Sequence, residues 1–65
     1  MNDSHQKAAE YHMLAAHAHT AAIEHHGKGD HLTGHEYTRM ALEHATRAFE
    51  LTQEALRESA KHAGK

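Results

Sequence analysis

Cysteine, proline and tryptophan are absent from this 65-residue chain. Without cysteine there is no disulfide framework, no thiolate metal site and no cysteine nucleophile. Without proline nothing forces a helix to break, and only Gly27, Gly29, Gly34 and Gly64 interrupt a sequence otherwise rich in helix formers. Large apolar residues are few: Tyr11, Met13, Leu14, Ile23, Leu32, Tyr37, Met40, Leu42, Phe49, Leu51 and Leu56. A core built from so little is marginal for a lone monomer, and small scaffolds without disulfides often oligomerise instead. No apolar run approaches about 18 residues, so no membrane span is expected. The opening Met1-Asn2-Asp3-Ser4-His5-Gln6 lacks the basic-then-apolar order of a signal peptide, which leads to an expectation of cytoplasmic residence. The formal charge is −2 with no basic stripe, so nucleic acid is not an expected partner.

Histidine is what the chain has in excess, with ten copies. His5, His12, His19 and His26 recur at heptad spacing, and His25, His26, His31 and His35 crowd one short stretch. Imidazole titrates near neutrality and binds metal when neutral. Full protonation would add ten positive charges, a large swing between neutral and mildly acidic pH.

The expected fold is all-α, one domain over residues 1–65. Helix 1 is expected at about 3–26, with Asp3 as N-cap and Gly27 as the C′ residue. The turn spans about 27–33. Helix 2 is expected at about 34–62, capped by Thr33 in a Thr33-x-x-Glu36 box with Leu32 and Tyr37 in staple register. Lys61 and Lys65 complement the negative end of helix 2. The short connection makes the helices an antiparallel hairpin.

Each helix carries two stripes. The first are Ala8, Tyr11, Leu14, Ala15, Ala18, Ala22 and His25 on helix 1, and Tyr37, Ala41, His44, Ala48, Leu51 and Ala55 on helix 2. The second are Ala9, Ala16 and Ile23, and Leu42, Ala45, Phe49 and Leu56. The remaining face of helix 2 is charged, with Glu43 and Arg47 in i,i+4 spacing. A hairpin needs one stripe per helix, so the pattern leads to a homodimer of hairpins forming a four-helix bundle.

The candidate metal ligands are His25, His26, His31 and His35, near the carboxylate of Asp30. Nitrogen and oxygen donors of this kind suit Zn, Ni or Cu better than Ca or Mg. A cap at Thr33 would leave His31 outside helix 2 and weaken its i,i+4 relation to His35. The heptad histidines lie about 10.5 Å apart along one helix, too far to share an ion without residues from elsewhere. At this level they fill a helix–helix boundary beside small alanines. His44, at the level of His17, is a core histidine in want of a hydrogen-bonding neighbour.

Several chemistries are excluded. No glutamate has histidine three residues later, so no inward-facing di-iron set exists. His35-Glu36 lacks the second histidine of His-Glu-x-x-His, and the glycines fit no phosphate loop. Three methionines make a poor thioether copper store. Nothing positions Ser4 or Ser59 as a nucleophile.

Ala8-Ala9-Glu10-Tyr11-His12, Ala15-Ala16-His17-Ala18-His19 and the turn Gly27-Lys28-Gly29-Asp30-His31 give the chain its character. In this phrasing it resembles small bacterial histidine- and alanine-rich helical-hairpin proteins, a compositional likeness over most of its length. The resemblance implies a hairpin and no particular activity. A tetratricopeptide-like turn is also visible, but both helices are too long and no second repeat follows.

The leading expectation is a non-enzymatic structural or interaction protein. It would be homodimeric and need no cofactor, with a divalent transition-metal ion as candidate ligand. The alternatives are a dedicated nickel, zinc or copper buffer or metal-responsive protein, and a histidine-driven pH-responsive assembly.

Overall fold

Two α-helices, α1 (Asn2–Gly27) and α2 (His31–Ala63), pack against each other as an all-helical hairpin. The computed structural model describes the backbone of residues 2–63 and the side-chain surroundings of residues 3–61. Lys65, expected at the helix end, lies outside the described residues. Among the described residues no helix is long and apolar enough to cross a membrane.

The reversal is tighter than the sequence pattern indicates. Gly27 remains helical, and the left-handed residue is Gly29 at φ 82°. The Gly29 N–H donates to the His26 carbonyl at 3.0 Å and the Asp30 N–H to the His25 carbonyl at 2.9 Å. These are the two bonds of a Schellman motif, with Gly29 as its C′ residue. Asp30 then caps α2, its Oδ1 accepting the Thr33 backbone N–H at 3.3 Å. The cap is therefore Asp30 rather than Thr33, and α2 starts at His31. Leu32, expected to staple against Tyr37, is exposed. At the other end Asp3 sits in the first turn of α1, one residue inside the helix start.

Heptad spacing organises the seam between the helices. The seam positions, all buried or half-buried, are Ser4, Ala8, Tyr11, Ala15, Ala18, Ala22 and His25 on α1. On α2 they are Gly34, Tyr37, Ala41, His44, Ala48, Leu51, Ala55 and Glu58. Every fourth-then-third step holds, which is the pattern of a supercoiled pair. One position in each heptad is always Ala or Gly, so the backbones can approach closely. The buried hydrophobic core is Leu51 plus alanines, with Ala41 and Ala48 fully covered. Ser4 bonds Glu58 at 3.0 Å and His25 stacks on Tyr37 at 5.3 Å. The two pairs lie three heptads apart on both helices, so one antiparallel register runs the whole length.

Leu14, expected in the seam, is 44% exposed. It stands one residue before Ala15, about 100° around the helix from the partner. The anticipated Glu43–Arg47 pair gives way to Arg47 Nη1 donating to Glu50 Oε1 at 3.4 Å, an exposed contact.

Candidate functional site

Because the helices are antiparallel, residues one step after the seam fall on the same side of both. Residues one step before it fall on the other side. A groove lined by His19, His35, Thr38, Arg39, Leu42 and Ala45 marks the first side, and one lined by Leu14, His17, Ala21 and Met40 marks the second.

These two flanks differ sharply in charge. The chain has seven basic and nine acidic side chains. Eleven of them occupy the second flank, from Asp3 and Lys7 to Arg57 and Lys61. The positions of the first flank carry none, although Arg39, two steps after Tyr37 on α2, borders its groove. On α1 it reads His5, Ala9, His12, Ala16, His19, Ile23 and His26. On α2 it reads His31, His35, Thr38, Leu42, Ala45, Phe49, Thr52, Leu56 and Ser59. Ile23, Leu42, Phe49 and Leu56 are 73%, 67%, 61% and 70% exposed. Thr38 and Thr52 donate their hydroxyls to the Gly34 and Ala48 carbonyls, both at 2.9 Å, and so add little polarity to it. The flank is thus apolar apart from its imidazoles, Ser59 and the bordering Arg39, and it holds six of the ten histidines.

The four histidines singled out from sequence separate into two groups. His25 turns into the seam, half-buried against Tyr37, with its Nδ1 3.3 Å from Asp30 Oδ2. His26, His31 and His35 belong to the uncharged flank. His26 lies across α2 directly over Gly34, where a Cβ would stand 2.8 Å from the ring. Its ring centroid is 5.7 Å from that of His31, tilted by 47°. The start of α2 at His31 makes His31 and His35 a helical i,i+4 pair. His35 and His19 line one groove of about 510 Å³. Among the described residues no three His, Cys, Asp or Glu side chains already converge as a metal site.

Asp30 is committed to the turn. Hydrogen bonding from Thr33 holds its carboxyl below the ordinary carboxylate value, and His25 adds to the effect. His44 is half-buried in the seam, its ring 6.1 Å from Tyr11 at a tilt of 39°. His17 lines the groove of the charged flank beside it. Two features are not evident in the sequence pattern: the part-buried Ser4–Glu58 bond and the packing of His26 on Gly34. Extending the heptad from Ala8 and Ala55 would have found the first. The second requires knowing which histidine faces which helix.

Compared with protein-family models, curated proteins and solved structures, the chain matches none.

Proposed function

We propose that this protein is a non-enzymatic interaction module that self-associates through its uncharged flank, two hairpins making a four-helix bundle. The observation that carries this reading is the segregation of charge: Ile23, Leu42, Phe49 and Leu56 stand exposed on a flank whose own positions hold no Asp, Glu, Lys or Arg, with Arg39 at its border. A contiguous exposed apolar face of this kind marks an interaction surface. A second copy is the occupant that fits it. Such a copy presents the same uncharged face, as a two-fold contact requires. A hairpin 55 Å long and 13 Å across offers on the order of 700 Å² in projection, close to the roughly 800 Å² per partner of a standard interface. The alanine seam supports the reading too, since among the described residues no large side chain is completely buried and pairing would supply a fuller core.

Sedimentation velocity of the full chain at pH 7.5 tests this. The expected result is a dimer that Phe49→Lys converts to monomer, while Glu50→Lys on the charged flank leaves it intact. A monomer at every concentration, or equal effects of the two substitutions, would overturn the reading.

A second reading follows from the six histidines on that flank, which no acidic residue of the same flank can neutralise. Association on this reading weakens in acid, where protons would place like charges across the contact. On this reading the module is also a pH-responsive assembly.

A further inference from the structure

We infer that His26, His31 and His35 form a three-imidazole site for a divalent transition-metal ion at the turn end of the hairpin. All three come from one chain, so the site does not rest on self-association.

Three observations converge on it. First, the Asp30 cap brings His31 into α2, which places His31 and His35 one turn apart on a single helix. Two histidines at that spacing can share one zinc ion. Second, His26 reaches over from α1 onto the same turn of α2. Its ring centroid is already 5.7 Å from that of His31. Two imidazoles on one tetrahedral ion, with bonds of about 2.0–2.1 Å, have centroids about 5 Å apart. Small torsional adjustments of two exposed side chains close that difference. Third, position 34 is glycine where the His26 ring crosses the helix, and a Cβ there would stand 2.8 Å from its Cδ2 and Nε2 atoms. A glycine inside a helix is unfavourable relative to alanine, and here its absent side chain is what admits the imidazole.

The donors choose the ion class. Three neutral nitrogens with no thiolate and no carboxylate suit Zn²⁺, Ni²⁺ or Cu²⁺, with water completing the shell. The nearby carboxylate, Asp30, is engaged by the Thr33 N–H and His25. His25 itself is stacked on Tyr37 and stays outside the set. Among the described residues no three ligands are converged beforehand, so the ion draws His35 onto the His26–His31 pair. Binding requires deprotonated imidazoles and therefore fails in acid.

Isothermal titration calorimetry tests the assignment, with zinc chloride added to the chelator-stripped full chain at pH 7.5 in a non-coordinating buffer. One saturable ion per chain is expected. His26→Gln, His31→Gln and His35→Gln should each weaken it by roughly tenfold or more, and His12→Gln, two heptads before His26 on the same flank, should not. Gly34→Ala should weaken binding while circular dichroism shows undiminished helix, because it displaces His26 and leaves every ligand in the sequence. Unsaturable binding, a His26→Gln variant with wild-type affinity, or equal losses on His12→Gln would each overturn the site. An unchanged affinity in His35→Gln would overturn the single-chain set of three.

Discussion

The two flanks of this hairpin share the same helices, the same alanine seam and the same turn, yet one holds eleven charged side chains and the other has none at its own positions, with Arg39 at its border. Both flanks are solvent-facing in the hairpin, so solubility alone would have spread the charges over both. The difference shows that seam and flank answer to separate demands. Position within the heptad decides what packs inside the chain. The choice of residue one step to either side decides what the chain presents to others.

The largest expected effect comes from placing bulk in what the flanks have in common. Ala48 is fully covered, and Ala48→Leu should push the helices apart, costing about 1–3 kcal/mol. Thermal denaturation by circular dichroism would show it, and an unchanged midpoint would mean that the close alanine contact is not what sets the helix spacing.

Lowering the pH sharpens the contrast next. The pH-responsive reading places six imidazoles in the contact and predicts weaker association at pH 5.5 than at pH 7.5. The association constant should fall by at least about tenfold, or about 1.4 kcal/mol. Sedimentation across that range reads the change directly, and a pH-independent dimer would remove the pH-responsive reading.

At lower pH the turn responds. The folded Asp30 carboxyl lies below its ordinary value, so its contribution to stability is complete above about pH 4 and disappears as pH falls through the lowered value. Asp30→Asn keeps a capping oxygen and removes the titration. Its melting curve should lose part of the acid-side slope of the wild type, and identical slopes would show that the Thr33–Asp30 contact does not govern this limb.

The smallest effect belongs to the charged flank. Arg47 and Glu50 form an exposed pair, and Arg47→Ala should change stability by no more than about 0.5 kcal/mol and leave association unaltered.

Much of the fold was legible in the residues themselves. Ala8, Ala15 and Ala22, with Ala41, Ala48 and Ala55, announce the seam because their seven-residue spacing persists over three turns of the pattern. The turn was harder. Gly27 and Gly29 are both chemically fit to end a helix, and only the pairing of the Gly29 and Asp30 N–H groups with the last carbonyls distinguishes them. Thr33 is a good cap by composition, but Asp30 also closes the Schellman turn, and one residue performing both roles shortens the connection to Lys28-Gly29-Asp30. Leu14 misled because its size suggested burial, whereas the heptad assigns the seam to Ala15. The histidine stripe was visible as a stripe. That it lies beside Leu42, Phe49 and Leu56 follows only from antiparallel pairing, a relation between two helices that no single-helix pattern contains. His25 and His26 are neighbours in sequence yet face different surroundings for the same reason.

The absence of cysteine makes the decisive measurement clean. Ala45→Cys places one thiol on the uncharged flank and Glu43→Cys places one on the charged flank, and each is followed by its alkylation rate as protein concentration rises. If copies meet through the uncharged flank, the Ala45→Cys thiol becomes progressively protected while the Glu43→Cys thiol reacts at a constant rate. Equal rates for both thiols at every concentration would contradict that central claim.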